Sequence, residues 1–217
     1  MPREREDIFL ESNSKIKEKV IVLAFEGNDT ERIYFDELKS HVKFNDDVIY
    51  LHLLSRPKND TNSAPIHVFN KLKKEAKEEY NFNSQDELWM IIDKDKWKNI
   101  ESIVELCKAQ GNMFVAVSNP CFELWLLLHI KEISELSEVE IKAILNNKKV
   151  SKNRTYIDKF LSDLLSDGYN KSNPIPSRFL PTIYDAIRQA KALDNLSEDF
   201  PSSIGSHVYK IAEIVIK

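Results

Sequence analysis

Apolar runs rich in β-branched residues alternate with amphipathic segments through the first half of the chain. The runs lie at residues 20–25, around 48–54, at 87–92 and at 113–118. Such runs are typical of strands buried on both faces of a parallel sheet. Three segments with apolar residues at helical spacing separate them: NDTERIYFDELKSHV, IHVFNKLKKEAKEEY and WKNIESIVELCKAQG. The β-α-β-α-β-α-β order predicts an α/β fold, with a parallel sheet flanked by helices.

The second half of the chain has a different pattern, because its apolar positions recur at helical spacing. The predicted helices are SNPCFELWLLLHI, SELSEVEIKAILNN, TYIDKFLSDLLSDG, LPTIYDAIRQAKAL and GSHVYKIAEIVI. We therefore divide the chain into a polar N-terminal arm (1–18), an α/β core (19–130) and a helical C-terminal region packed on the core (131–217).

Several residues have the character of helix ends. Asn28 and Glu31 have the N-x-x-E spacing of a capping box, and Gly111 is a candidate C-cap. Asn119 favours an N-cap and Pro120 fits the first helical position, so Glu123 is expected at the fourth position of that helix.

Composition places the chain among soluble proteins, with 42% apolar residues, 30% charged residues and a net charge of −4. No apolar run approaches the roughly 18 to 20 residues that a membrane helix needs. The N-terminus lacks the apolar core of a secretion signal, and the two cysteines fit reduced thiols, so a cytoplasmic protein is expected. The net charge argues against a large basic surface for nucleic acid, but a nuclease needs only a local basic groove. The four glycines include no G-x-x-x-x-G-K phosphate loop.

Three carboxylates directly follow two of the predicted strands. Glu26 ends the first run before Gly27, which allows a tight turn, and Asp93 and Asp95 follow the third run. Open parallel sheets bind ligands beyond the carboxyl ends of their strands, so these carboxylates are expected at one edge. Their oxygens suit Mg²⁺ or Mn²⁺. The alternative is that the aspartates form a turn or cap the next helix.

Glu123 lies among apolar neighbours in SNPCFELWLLLH, a helix expected to begin at the same edge of the sheet. A carboxylate buried in such a helix needs a partner. Two interpretations stay open: Glu123 pairs with a buried lysine or arginine, or it is a further metal ligand or base.

Basic residues occur in two groups that are candidates for contact with the phosphates of a nucleic acid. They are Lys94 and Lys96 beside the aspartates, and Lys148, Lys149, Lys152 and Arg154 near a turn between two predicted helices. The alternative for most of them is a solvated helix face.

The segments VIVLAFEG and LWMIIDKD resemble the Toprim motif, in which one strand ends in Glu and a later strand ends in Asp-x-Asp. More closely, the chain resembles the RloB family of bacterial proteins through FEGNDTERIYFDEL, WMIIDKDKW, VAVSNPCFELWLLLH and GSHVYKIAEIV. These segments are spread over nearly the whole chain. The resemblance implies a Toprim-like fold in which Glu26, Asp93 and Asp95 are the metal-binding acids. Glu123 matches the Asn-Pro-x-Phe-Glu block of the family.

The resemblance also implies a role in bacterial defence against phage, such as abortive infection, or in restriction-linked loci, often beside an ATPase partner. The expected activity is Mg²⁺- or Mn²⁺-dependent cleavage of DNA or RNA, with Glu26, Asp93, Asp95 and Glu123 as catalytic residues. The alternative is a sensor or effector subunit that binds metal or nucleotide and acts only with the ATPase. A D-x-D phosphatase fits poorly, because Trp97 stands where that chemistry needs threonine. The sequence leaves a homo-oligomer open.

Overall fold

The structure is a computed structural model of the 217-residue chain. It describes residues 17–27, 29–55, 64–79, 82–94 and 97–217, without the side chains of residues 75–77 and 79. Asn28, Asp95, Lys96 and nearly all of the predicted N-terminal arm lie outside the described residues.

Four strands from the first half of the chain form a parallel sheet, as the apolar runs predict. They are β1 (Lys19–Phe25), β2 (Ile49–Leu53), β3 (Glu87–Asp93) and β4 (Met113–Asn119). β1 pairs with both β2 and β3, and β3 pairs with β4, all in parallel. The resulting order is β2-β1-β3-β4, so the two strands that precede the candidate acids are neighbours.

Eight α-helices flank the sheet in the described part of the chain, which confirms the α/β class. They are α1 (Thr30–Ser40), α2 (Pro65–Glu79), α3 (Ile100–Lys108), α4 (Glu123–Ile130), α5 (Glu138–Asn146), α6 (Tyr156–Leu164), α7 (Ile183–Leu193) and α8 (Val208–Val215). Each lies within or close to a predicted helical segment. Within the described ranges, no helix is both long enough and apolar enough to span a membrane.

The central strands bury both faces, which explains why their sequences lack a polar alternation. On one face, residues such as Leu23 and Ile91 pack in a cluster with α1, α4, α7 and α8. On the other face, Val22 and Met90 pack with α2 and α3. Burying each such side chain stabilises the folded state by roughly 1.5–3 kcal/mol relative to leaving it exposed. The central strands therefore contribute much of the stability of the fold.

The C-terminal region contributes strands as well as helices. Gly205–Ser206 is β7, which pairs antiparallel with the end of β4, so the prediction that GSHVYKIAEIVI is helical from its first residue was wrong. The turn predicted near residue 150 is a two-stranded hairpin of β5 (Lys149–Ser151) and β6 (Arg154–Thr155). Strands this short carry too little periodicity to be recognised in a sequence.

The carboxyl ends of β1 and β3 form a topological switch point. β2 lies on one side of β1, and the connection that follows β2 crosses back to β3 on the other side. A crevice opens between strand ends at such a point, and ligands of open α/β sheets bind there.

Candidate active site

Glu26 and Asp93 lie side by side at this switch point. Glu26 directly follows β1, Asp93 is the last residue of β3, and both are buried. The main-chain N–H of Asp93 donates to Oε2 of Glu26 at 3.1 Å. The N–H of Glu26 in turn donates to the carbonyl of Ile91 at 3.0 Å. The parallel pairing thus continues past β1 and holds the Glu26 carboxylate against the end of β3.

The segment between β4 and α4 holds Asp93 from another direction. The N–H of Phe122 donates to Oδ1 of Asp93 at 2.8 Å. The peptide between Asn119 and Pro120 is cis, and α4 begins at Glu123 with Phe122 as its N-cap. The predicted helix start was therefore wrong, because the chain meets Asp93 before it turns into the helix. Glu123 is the first helical residue, where the positive end of the helix favours a carboxylate.

Glu123 is 1% exposed and contacts the loop that follows α6. Nζ of Lys171 lies 2.9 Å from its Oε1, and the hydroxyl of Tyr169 donates to the same oxygen at 3.2 Å. Thr30 donates to the carbonyl of Lys171 at 2.6 Å, which ties the loop to the start of α1. The buried Oε2 of Glu123 has no hydrogen-bond partner among the described residues. An ion pair is present, as one interpretation expected, but its lysine is half-exposed and not buried.

A fourth buried carboxylate, Glu31, belongs to this cluster and was not among the predicted site residues. It lies in the first turn of α1, whose N-cap is Asp29, so the prediction of Glu31 in a capping box was wrong. Its carboxylate packs on Gly27, where an added Cβ would lie 2.3 Å from Oε2 of Glu31. The φ of Gly27 is outside the left-handed region. Glycine is therefore needed here for space beside Glu31, and not for the turn that the sequence suggested.

Burial and the neighbouring charges shift the pKa values of Asp93, Glu31 and Glu123. Burial raises the pKa of Asp93 well above its usual range, and the charges of Glu31, Glu123 and Glu26 raise it further. Burial and the charge of Glu123 raise the pKa of Glu31 to about 7. Burial also acts to raise the pKa of Glu123, but the charge and hydrogen bond of Lys171 lower it overall. A further cation would relieve the repulsion that remains on Asp93 and Glu31.

The chemistry of this cluster fits a hard divalent cation. Among the residues that the structure describes, no three Asp, Glu, His or Cys side chains form a group that could hold a metal ion. Mg²⁺ commonly binds only one or two carboxylates and completes its octahedral shell with water and substrate phosphate. The free Oε2 of Glu123 and the raised pKa values of Asp93 and Glu31 fit that requirement. Asp95, a predicted ligand, lies outside the described residues.

The predicted phosphate-binding residues lie in separate places. Lys94 donates to the carbonyls of Pro201 and Ser202, at 2.8 and 3.3 Å, and its ammonium lies over the Phe200 ring. Lys94 therefore holds the loop before β7 against the end of β3. Four further predicted residues are exposed and lie at or beside the hairpin: Lys148, Lys149, Lys152 and Arg154. Lys96 lies outside the described residues.

Three residues of the cluster were not predicted from the sequence. Glu31 had a recognisable signal, because it opens the helix that directly follows Glu26 at the ligand-binding edge. Tyr169 and Lys171 had none, because they belong to an irregular loop that only the tertiary structure brings to Glu123.

The fold and the site together define an α/β protein with a buried carboxylate cluster at the switch point of a mostly parallel sheet. A family model described as RloB-like protein matches residues 21–215. The chain therefore belongs to the RloB-like protein family, as the sequence resemblance predicted. Comparison with curated proteins and with solved structures finds no match for the chain.

Proposed function

We propose that the chain is a metal-dependent nuclease of the Toprim type, which cleaves phosphodiester bonds in DNA or RNA. The observation that carries this proposal is the clustering of Glu26, Glu31, Asp93 and Glu123, all buried, at the switch point. Buried like charges destabilise a fold, so their concentration in one crevice favours a function that needs a cation over a structural role.

In this proposal, Asp93 and Asp95 hold the cation, and Glu26 either joins them or accepts a proton from the attacking water. Glu123 offers its partnerless Oε2 to the same group. Bound Mg²⁺ or Mn²⁺ supplies water of lowered pKa and stabilises the negative charge that develops on the phosphate. Hydrogen bonds from Asp93 and Phe122 fix two of the carboxylates beforehand, which reduces the reorganisation needed during the reaction.

Lys171 has two roles in the proposed reaction. It neutralises Glu123 at 2.9 Å, and its side chain is 51% exposed, so it can reach a phosphate in the crevice.

Within the RloB-like family, we place this activity in bacterial defence against phage, in the cytoplasm, beside an ATPase.

A second candidate function is supported by the same lysine. Lys171 already supplies a positive charge to the cluster, and no group of three ligands stands ready for a metal within the described ranges. This arrangement fits an inactive form of the protein, in which Lys171 takes the place of a metal ion beside Glu123. In this alternative, the chain is a sensor or effector subunit that becomes active when an ATPase partner moves the loop of residues 169–172.

Cleavage assays test the proposal. Purified protein is incubated with plasmid DNA, single-stranded DNA and tRNA, with Mg²⁺, Mn²⁺ or EDTA. Asp93→Asn and Glu26→Gln keep the shape of each side chain and remove its charge. Glu213→Gln is the matched control, because Glu213 is an exposed acid that pairs with Lys191 on α7.

We expect metal-dependent cleavage by the wild-type protein and by the control variant, and a loss of at least about a hundredfold in the two site variants. Cleavage that survives in both site variants would reject the proposed site. Cleavage that requires an added ATPase would favour the partner-activated alternative. The absence of cleavage under both conditions would reject nuclease activity.

A further inference from the structure

An open cleft with a volume of about 440 Å³ lies next to the carboxylate cluster. It is bounded by the turn and second strand of the β5–β6 hairpin on one side and by the loop of residues 169–172 on the other. The residues that matter for its chemistry are Asn153, Arg154, Asp158, Tyr169, Asn170 and Lys171. Its volume is within the roughly 300–1,000 Å³ of small-molecule sites, so it can take one nucleotide but not a duplex.

The cleft and the carboxylate cluster share a wall. Tyr169 and Lys171 line the cleft, and both also contact Oε1 of Glu123, at 3.2 and 2.9 Å. A ligand in the cleft therefore lies one side chain away from Glu123. The negative charge of Glu123 raises the pKa of Lys171 even though burial acts to lower it, so the lysine is a cation at neutral pH.

Arg154 supplies the second positive charge of the cleft. It is exposed, and its guanidinium makes one long hydrogen bond, to Oγ of Ser162 at 3.4 Å. It forms no ion pair with any described residue, unlike Arg178 and Arg188, which pair with Asp167 and Glu132. An uncompensated guanidinium opposite a lysine is an arrangement that suits a phosphate, which Arg can bind through two N–H groups.

Asp158 gives the cleft an acceptor as well. Its Oδ2 accepts from the N–H of Thr155 at 2.9 Å and caps α6. Its Oδ1 is buried without a hydrogen-bond partner among the described residues. A carboxylate in the lining favours a ligand that carries hydrogen-bond donors, such as the sugar hydroxyl or base amino groups of a nucleotide, over inorganic phosphate alone.

We propose that this cleft binds one nucleotide of a single-stranded nucleic acid, with its phosphate between Arg154 and Lys171. The inference rests on the proposed nuclease function, since it places the neighbouring phosphodiester at the carboxylate cluster. A base within a duplex cannot enter a cleft of this size, whereas single strands present unstacked nucleotides to such sites. The exposed residues Lys148, Lys149 and Lys152 extend positive charge along the hairpin for the rest of the strand.

Fluorescence anisotropy in EDTA measures this binding without cleavage. The probes are labelled DNA and RNA strands of about 12 nucleotides, a length within the usual range of single-strand sites, and the corresponding DNA duplex. Arg154→Gln is compared with Arg188→Gln, which removes the same charge from an exposed arginine on α7 outside the cleft. Urea denaturation checks that both variants fold like the wild type.

We expect a single strand to bind more tightly than the duplex, and Arg154→Gln to weaken that binding about tenfold or more. The salt dependence of log K should fall by about 0.7 in this variant, as for one lost phosphate contact on a single strand. Arg188→Gln should bind like the wild type. The preference between the DNA and RNA probes shows which sugar the cleft accepts.

Equal losses in the two arginine variants, or a duplex that binds as tightly as the single strand, would overturn the cleft proposal. Failure of the nuclease proposal has a different signature. It would appear as strand binding that depends on Arg154 with no cleavage in Mg²⁺. Unchanged cleavage by Arg154→Gln at low substrate concentration would instead reject the cleft and keep the nuclease.

Discussion

The N–H of Asp93 donates to Oε2 of Glu26 at 3.1 Å, and this bond joins the ends of β1 and β3 at the carboxylate cluster. The same aspartate accepts from the N–H of Phe122 at 2.8 Å, which adds the start of α4 to the connection. Main-chain groups at the ends of β1 and β3 and at the start of α4 therefore hold the acids in place. The positions of the Glu26 and Asp93 carboxylates thus depend on the pairing of the sheet strands.

Substitution of Glu26 should separate its structural role from its chemical one. Glu26→Gln keeps an oxygen that can accept from the N–H of Asp93, whereas Glu26→Ala leaves this N–H without that partner. Because an unsatisfied buried donor costs roughly 1–3 kcal/mol, the alanine variant should be the less stable of the two by that amount. Urea denaturation of both variants measures the difference. Equal stabilities would show that the hydrogen bond contributes nothing to the fold.

Gly27→Ala should lower cleavage activity with little loss of stability. The added Cβ would lie 2.3 Å from Oε2 of Glu31, so this carboxylate must move, and a displacement of about 1 Å can reduce a rate on the order of a hundredfold. Gly111→Ala is the control, which should lose stability and keep its cleavage activity. Gly111 has φ +80 and open space around it, so alanine there should cost about 1 kcal/mol of stability and leave cleavage unchanged. Full activity in Gly27→Ala would remove Glu31 from the site.

Lys171→Gln should destabilise the protein because it leaves the buried carboxylate of Glu123 without its cation. Removing one partner of a fully buried ion pair lowers the free energy of unfolding by about 3–5 kcal/mol. Because Lys171 is half-exposed, solvent screens the pair, and the expected loss is about 1–3 kcal/mol. Glu123→Gln in the same chain should recover much of this loss. A double-mutant cycle by urea denaturation measures the coupling of the two residues. Additive losses would show that the ion pair has no energetic weight.

His129 should make the stability fall as the pH decreases below about 6.5. Burial lowers its pKa from 6.5 to about 3, while its ring nitrogens contact the Tyr34 hydroxyl at 3.1 Å and the Phe179 carbonyl at 2.7 Å. Because the folded pKa is depressed, the histidine's contribution is fully present above pH 6.5. It is lost progressively as the pH falls toward 3, since only the unfolded chain takes up the proton.

The measurement compares the free energy of unfolding of the wild type with that of His129→Gln, which cannot be protonated in this range. Between pH 7 and pH 5, the wild type should lose about 2 kcal/mol relative to the variant. Other titrating groups contribute equally to both proteins and cancel in the difference. Parallel pH profiles would show that His129 does not titrate differently in the folded and unfolded states.

The class of fold and part of the site can be predicted from the amino-acid sequence alone. Four apolar runs separated by amphipathic segments specify a parallel sheet, because strands buried on both faces cannot tolerate polar alternation. Glu26 and Asp93 could be placed at one edge, since the carboxyl ends of parallel strands meet there. The RloB-like family could also be recognised from the residues, and the family match confirms it.

The surroundings of these acids depend on contacts that are seen only in the folded structure. Glu123 is the first residue of α4 and not the fourth, because the N–H of Phe122 donates to Asp93 before the helix begins. Lys171 reaches Glu123 from a loop far along the chain, where no local pattern marks a binding residue. β7 pairs with β4 through two residues that are too few for a periodic signal. Periodicity records which face of an element is buried, whereas ion pairs, caps and short edge strands depend on contacts between distant segments, which a local pattern does not encode.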